Sequence, residues 1–253
     1  MLLEETYHKL NQMKMYGLAH ALEEQLKDDN YNQLCFQERL SLLIDREYSE
    51  RENRRLARRI KNAKLRQQAC MEDIDYRHQR GLDRTLMARL ATCEWLRNHH
   101  NLVIVGPTGA GKTYLCCALA QKACREGYSA LYLRVSRFFQ ELLLARADGS
   151  YPKLMSKLAR TDLLVLDDWG LTSLNAQQRN ELFEVLEDRV GHRSTLIASQ
   201  IPVKEWHDLI GQPTIADAIL DRVIHNSYRI ELTGESMRKK KSRLTEEEVF
   251  TTE

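Results

Sequence analysis

The sequence predicts an α/β protein: a three-layer α/β/α domain on a mainly parallel, five-stranded sheet, preceded by a small all-helical domain. Three observations carry this. No proline precedes Pro107, and only Gly17 and Gly81 interrupt residues 1–105, so the main breakers of helices are nearly absent there. From about residue 101 short β-type runs alternate with helical stretches, the pattern of βα units. Between the first such run and the helix after it lies a glycine-rich octapeptide, GPTGAGKT (106–113).

Leu3, Tyr7, Leu10 and Met13 follow helical spacing. Leu18, Leu22 and Leu26 open a second helix after Gly17, and a longer third helix is expected from about 34 to 66 on Phe36, Leu40, Leu43, Ile44, Leu56 and Ile60. Residues 67–100 read as a transitional segment. The expected strands are NLVIV (101–105), ALYLRV (130–135), LLVLD (163–167), TLIAS (195–199) and YRIEL (228–232). Helical stretches fall near 112–126, 136–160, 175–190 and 203–226. The second has room for two helices split near Gly149 and Pro152. The domain boundary is placed at 66/67, giving a helical N-terminal domain (1–66) and an α/β domain (67–253), with 67–100 as linker.

The chain has 253 residues, 43% apolar and 29% charged, with 11 Gly and 4 Pro. That excludes a disordered or collagen-like chain. No apolar run approaches the roughly 18 residues of a membrane span. The start, MLLEETYHK, lacks the basic and apolar regions of a secretory signal. None of the six cysteines forms a CxxC pair. Reduced, structural thiols in a cytoplasmic protein are therefore expected, with no membrane partner.

GPTGAGKT fits G-x-x-x-x-G-K-[ST] in the strand–loop–helix context that gives the pattern meaning. Gly106, Gly109 and Gly111, with Pro107, Thr108 and Ala110 between them, let backbone N–H groups curl around phosphate oxygens, and the helix N-terminus adds partial positive charge. Lys112 is expected to reach the β- and γ-phosphates of ATP, the Thr113 hydroxyl to ligate Mg²⁺, and Tyr114 to follow in the same turn. The run LLVLDD (163–168) supplies the second part. Asp167 is expected to hold Mg²⁺ and Asp168 to polarise the attacking water. Asp168 is shorter than a glutamate, which predicts slow turnover. Ser199 or Gln200, ending the fourth strand, can touch the γ-phosphate or the water. Arg222, just before the last strand, can reach a neighbouring subunit's γ-phosphate as an arginine finger, and Arg238 in GESMR can sense nucleotide.

GPTGAGKT, LLVLDDWG, TLIASQIP, AILDRVIH and GESMR, in this order, resemble the IstB family of transposition helper ATPases, relatives of DnaC-type helicase loaders in the initiator branch of the AAA+ superfamily. The resemblance spans nearly the whole chain and includes the KMYGLAHAL stretch. It implies a P-loop AAA+ fold with a reduced C-terminal lid. It also implies ATP at subunit interfaces, assembly on duplex DNA and a cognate transposase as partner. By the same resemblance Gln200 is sensor 1, with Ser199 as the competing assignment, and Arg238 is sensor 2. Ile74 and Tyr76, in MEDIDYRHQRGLDR, are base contacts.

The formal charge of +2 is unevenly spread. Residues 46–66 hold nine basic residues against three acids, whereas residues 1–45 hold four against eight. Arg51, Arg54, Arg55, Arg58 and Arg59 share one helix face by their spacing, followed by Lys61. Crowded like charges favour a polyanion such as DNA over a merely solvated face. Arg137 and Lys153, between strands two and three, form a second candidate DNA contact, and RKKKSR (238–243) a third. Nothing resembles a base-reading motif, so little sequence preference is expected. A DnaC-like loader of a replicative helicase is the alternative, and a nucleotide-locked scaffold a further one. The absence of an LSGGQ-like run argues against a transporter ATPase.

Overall fold

The computed structural model describes residues 2–78, 80–234 and 236–237. By its internal contacts the chain divides into two compact units, Met1–Arg58 and Arg59–Glu253.

The first unit contains α1 (Leu2–Gln12), α2 (Tyr16–Lys27), a 3-10 turn (Asp29–Gln33) and the N-terminal part of α3 (Phe36–Ala63). The 3-10 turn is opened by the Asp28 carboxylate, which accepts from the Asn30 N–H at 3.0 Å. Helix α3 ends where Lys64 adopts φ 52°, three residues short of its expected end, because a left-handed residue cannot continue the i→i−4 ladder. Glu47 ties α2 to α3: 5% exposed, it accepts from the Leu18 N–H at 3.1 Å and from Arg51 Nε at 2.5 Å. Burial alone raises the Glu47 carboxyl, but the Arg51 hydrogen bond and the Leu18 and Gly17 N–H groups outweigh it and hold the pKa below the usual 4.5.

A carboxylate lowered on folding stabilises the native state above its unfolded pKa and loses that contribution as pH falls through the folded value. Glu47→Ala is therefore expected to cost about 2 kcal/mol near pH 7 and progressively less below the ordinary carboxylate range. Hydrogen exchange checks this: the amides of 16–27 should exchange faster in the variant, and those of 101–134 should not.

The second unit adds α4 (Arg84–Ala91) and α5 (Glu94–Arg97), inside the stretch expected to be transitional. The Asp83 side chain caps α4 by accepting from the Thr85 N–H at 2.8 Å, and Met87, Leu90, Trp95 and Leu96 are buried. Then come β1 (Asn101–Val105), α6 (Lys112–Arg125), β2 (Ala130–Arg134), α7 (Val135–Ala147), α8 (Tyr151–Arg160), β3 (Leu163–Trp169), α9 (Ala176–Glu187), β4 (Ser194–Ser199), α10 (Trp206–Ile210), α11 (Pro213–Ile224) and β5 (Ser227–Glu231). The helical stretch expected over 203–226 holds two helices with a break between them. Gly211 at φ 77° ends α10, and Pro213 at the first turn of α11 restarts the chain.

The sheet is parallel throughout, in the order β2-β3-β4-β1-β5. Strand side chains alternate between its faces. Val103, Val105, Leu164, Leu166 and Ile197 share one core with Phe138 of α7, Leu182 of α9, Trp206 of α10 and Ile219 of α11. On the other face lies α6, whose Leu115, Cys116, Cys117 and Leu119 are buried. Burial pushes the Cys116 thiol well above its ordinary pKa, so the residue acts as a small apolar group. Arg189, 1% exposed, clamps one end of the sheet. Its guanidinium donates to the Leu158 and Thr161 carbonyls at 2.5 and 2.7 Å and to the Ser194 carbonyl at 2.5 Å. No described helix is long and apolar enough to cross a membrane.

Candidate nucleotide site

The carboxyl ends of β1, β3, β4 and β5 meet on one edge of the sheet. In open α/β sheets ligands bind outside such ends, where strand order reverses. Here β1 lies between β4 and β5, so the chain leaving it enters α6 above the neighbouring strand ends. Gly106 N–H bonds the Ser199 carbonyl at 3.2 Å, and Leu232 N–H the Val105 carbonyl at 2.8 Å.

Gly106 sits at φ 155°, and a Cβ there would stand 2.7 Å from the Leu232 carbonyl oxygen. At Gly111, with φ 101°, a Cβ would meet the Arg80 guanidinium at 2.5 Å. Only glycine fits both demands. The loop delivers Lys112 at the first turn of α6, 7% exposed. Its ammonium donates to the Gly106 and Pro107 carbonyls at 2.7 and 2.9 Å. Thr113 Oγ1 donates to Asp167 Oδ2 at 2.7 Å, and the Tyr132 hydroxyl donates to the same oxygen at 2.6 Å. Asp167 is fully buried. Burial, then the Asp167 carboxylate, raises the Tyr132 phenol far above its ordinary value, so it stays a hydrogen-bond donor.

Consecutive strand residues normally face opposite ways, yet Asp167 contacts Thr113 and Asp168 lines the same cavity as Thr113. The pairing of β3 with β4 shifts register between Leu166 and Trp169, and Asp168 takes φ 62°. One extra residue re-aims the side chain, and aspartate tolerates this left-handed conformation better than most residues. The Asp168 N–H bonds Asp167 Oδ1 at 2.8 Å. The expected strand, 163–167, lengthens to Trp169 for the same reason.

Thr108, Lys112, Thr113, Tyr114, Asp168 and Gln200 are among the residues lining a cavity of about 400 Å³, within the range of small-molecule sites. Gln200 faces the loop, accepting from Thr108 Oγ1 at 2.6 Å. Ser199 is fully buried. Its hydroxyl donates to the Trp169 carbonyl at 2.9 Å and accepts from the Ile201 N–H at 2.9 Å, so of the two strand-end residues only Gln200 reaches the cavity.

Six lining residues are absent from the predicted site: Arg66, Gln67, Asp73, Asp75, Arg80 and Met237. Arg66 places its guanidinium 3.8 Å from Asp168 Oδ2. Arg80 is 6% exposed and donates to the Ala110 carbonyl at 2.9 Å and the Asp75 carbonyl at 3.1 Å. Met237 N–H bonds the Gly109 carbonyl at 2.9 Å, laying the chain after β5 across the loop. No local pattern marks Arg66 or Arg80; only GESM, beside the expected sensor, hinted at Met237.

Other expected residues lie elsewhere. Ile74 is buried and Tyr76 carries Arg84 over its ring at 5.0 Å. Neither lines the cavity, whereas Asp73 and Asp75 do: the short turns of this segment put the acidic positions, not the apolar ones, toward the opening. Arg222 is not a lining residue. It pairs with Glu187 and lies over the Phe183 ring at 4.7 Å. Arg238 and the run 238–243 lie outside the described residues, as does the tail expected to form the reduced lid.

Of the candidate DNA contacts, Arg51 and Arg54 pair with Glu47 and Arg55 with Glu52. Arg59 Nε donates to the Cys124 carbonyl at 2.9 Å, near the end of α6. Arg58, Lys61, Arg137 and Lys153 are exposed.

A hard-oxygen pair, Thr113 and the fully buried Asp167, stands at the mouth of a glycine loop. That pair suits Mg²⁺, which prefers few protein oxygens and keeps water and phosphate as its other ligands. Among the described residues no cluster of three or more His, Cys, Asp or Glu competes for a metal. The buried Arg80 Nε has no hydrogen-bond partner among the described residues, leaving a donor for a polar ligand.

A glycine loop between β1 and α6, with paired carboxylates on β3 and a polar residue after β4, defines a P-loop protein of the AAA+ type. Solved structures with this fold include the crystal structure of DnaI, with TM-score 0.54, 24% identity, 68% of this chain and 90% of that chain. The replication initiator DnaA bound to AMPPCP and single-stranded DNA matches with TM-score 0.55, 20% identity, 68% of this chain and 52% of that chain. Within that class the chain belongs to the family described as IstB-like ATP binding protein, whose model matches residues 8–245. Among its relatives is a putative insertion sequence ATP-binding protein of Sinorhizobium fredii (strain NBRC 101917 / NGR234), 52% identical over 96% of this chain and 99% of the relative. The insertion sequence IS21 putative ATP-binding protein of Pseudomonas aeruginosa is 29% identical over 92% of this chain and 88% of the relative.

Proposed function

We propose that this protein is the ATP-driven helper of an insertion-sequence transposase. It binds ATP, oligomerises on duplex DNA through ATP held at subunit interfaces, remodels the target and recruits or stimulates the transposase. Hydrolysis resets the assembly. The observation that carries the nucleotide part is the Thr113–Asp167 contact at 2.7 Å beside the Lys112 loop. Family membership carries the link to insertion sequences.

In this reading the loop N–H groups and Lys112 hold the β- and γ-phosphates, and Thr113 and Asp167 hold Mg²⁺. The bound metal neutralises phosphate charge. Gln200 orients the attacking water. Asp168 takes that water's proton as its oxygen bonds to the γ-phosphorus and the bond to the bridging oxygen breaks, yielding ADP and phosphate. Asp73 and Asp75, which line the cavity, take the ribose or base side of the nucleotide. Arg222 acts in trans on a neighbour's γ-phosphate, exchanging Glu187 for phosphate on assembly. Arg238 serves as sensor 2. Residues 1–66 and the helical segment carrying Arg137 and Lys153 face DNA phosphates, and residues 67–253 form the ATPase domain.

Co-sedimentation with fluorescent duplex DNA tests this. ATP or a non-hydrolysable analogue is expected to drive assembly, and ADP is not. Steeper salt dependence should accompany longer assemblies as more phosphates are neutralised. Assembly indifferent to nucleotide would defeat the proposal. A strong preference for single strands would favour the helicase-loader alternative.

A further inference from the structure

Arg80 puts a second buried cation on the wall of the nucleotide cavity, beside Lys112. It is 6% exposed and forms no ion pair among the described residues. Its Nη1 donates to the Ala110 carbonyl at 2.9 Å and its Nη2 to the Asp75 carbonyl at 3.1 Å. The Asp75 carboxylate is engaged elsewhere, by the Arg77 N–H at 2.8 Å and by His78 at 3.1 Å. A guanidinium in a protein keeps its proton. A full positive charge therefore lies out of water with only carbonyl dipoles around it, an arrangement that costs stability until an anion pairs with it.

Arg189, the other deeply buried arginine, shows a guanidinium used for structure alone. Its Nε donates to Thr195 Oγ1 at 3.1 Å, and its other nitrogens donate to the Leu158, Thr161 and Ser194 carbonyls. Arg80 keeps its Nε without a hydrogen-bond partner among the described residues. Of the buried side-chain groups left so, it alone belongs to a residue lining the nucleotide cavity. The backbone fixes it there. The Arg80 carbonyl accepts from the Thr233 N–H at 2.9 Å. Gly81 follows at φ 73°, where a Cβ would stand 2.5 Å from the Glu231 carbonyl oxygen, so only glycine lets the chain lie against the end of β5. At Gly111 a Cβ would stand 2.5 Å from the guanidinium. The loop thus leaves that space to Arg80, one residue before Lys112.

We propose that Arg80 is a further phosphate-binding residue of the nucleotide site, whose guanidinium pairs with the phosphate chain and adds a second positive charge to that of Lys112. A base offers neutral acceptors and leaves a buried charge uncompensated, whereas phosphate neutralises it through charge-assisted hydrogen bonds. Arg80 accordingly contributes to the affinity of any ligand that carries the phosphate chain and nothing to that of adenosine. This rests on the nucleotide-binding reading above and deepens it.

Titration of the full chain with a fluorescent ATP analogue, and displacement of that analogue by ADP, inorganic tripolyphosphate or adenosine, test it, with melting curves in parallel. Arg80→Gln keeps a donor for the Ala110 carbonyl and removes the charge. It is expected to weaken the ATP analogue, ADP and tripolyphosphate by about 10- to 100-fold, the range of a charge-assisted hydrogen bond, and to leave adenosine unchanged. Its melting temperature without nucleotide should hold or rise, because an unneutralised buried charge is gone, while the rise on adding ADP should shrink. Arg80→Lys, which keeps the charge, should recover part of the tripolyphosphate affinity.

The inference falls if Arg80→Gln binds tripolyphosphate within about threefold of wild type, or if the Lys and Gln variants lose it equally. A loss for adenosine as large as that for tripolyphosphate would give Arg80 to the base or ribose and overturn the phosphate assignment. A melting temperature that drops without nucleotide, together with every affinity, would make Arg80 a scaffold of the loop and overturn it as well. If the wild type binds neither the ATP analogue nor tripolyphosphate, the nucleotide reading itself fails. If it binds both while the Arg80 variants behave as wild type, only this inference does.

Discussion

Lys112→Ala is expected to weaken ATP binding by about 100-fold or more, and with it all nucleotide-dependent assembly on DNA. A charge-assisted hydrogen bond contributes about 1.5–3 kcal/mol, and the ammonium is placed to make more than one to phosphate oxygens. It stands at the first turn of α6, 7% exposed and bonded to the Gly106 and Pro107 carbonyls. The side chain is therefore already ordered at the mouth of the loop, and little conformational entropy remains to be lost on binding. The substitution leaves alanine, a strong helix former, where lysine stood. Melting temperature and helicity should stay near wild type while titration with a fluorescent ATP analogue shows the loss. An analogue affinity within threefold of wild type would remove Lys112 from the phosphate site.

Asp168→Asn has the opposite signature: nucleotide is kept and turnover falls. A positioned general base contributes on the order of 10²–10⁴ in rate, and the amide cannot accept the proton. Asparagine suits this position because Asp168 stands at φ 62°, a conformation in which Asn and Asp are both enriched. The N–H contact to Asp167 Oδ1 uses backbone and survives. Complexes on duplex DNA formed with ATP should then persist as they do with a non-hydrolysable analogue. Single-turnover phosphate release together with duplex dissociation measures this. Wild-type turnover in the variant would move the proton acceptor elsewhere, and loss of ATP affinity would make Asp168 a binding residue.

The strands over 101–105 and 163–167 are legible because their side chains form short apolar runs, and the octapeptide 106–113 because its glycines are punctuation with one structural use. The split of 136–160 into α7 and α8 is likewise readable at Gly149 and Pro152. The break at 211–213 is marked by the same residue types, yet it hides inside a helical periodicity. Helices α4 and α5 are short, and their caps are single residues, so the segment before β1 reads as irregular.

The cavity wall is a different matter. Asp73 and Asp75 replace Ile74 and Tyr76 at the opening because turn geometry, not residue type, decides which side chains point there. The choice between Ser199 and Gln200 rests on whether a hydroxyl is satisfied by its own sheet. Ser199 is, through Trp169 and Ile201, and that is visible only once β3 and β4 are paired.

The sequence by itself determined the α/β class, the phosphate loop, the paired carboxylates and their order along the chain. Each depends on local periodicity and on residues whose chemistry is specific at fixed spacing. Tertiary structure decided the rest: the bulge that sets Asp167 against Thr113 and Asp168 on the cavity wall, the recruitment of Arg66 and Arg80 to that wall, and the pairing of Arg51, Arg54 and Arg55 with acids. It also left Arg134 and Arg137 exposed, without a hydrogen bond or ion pair among the described residues. Those outcomes depend on which groups meet across the fold, and a charge or hydrogen-bond donor acquires its role only from the partner that packing brings within a few ångströms.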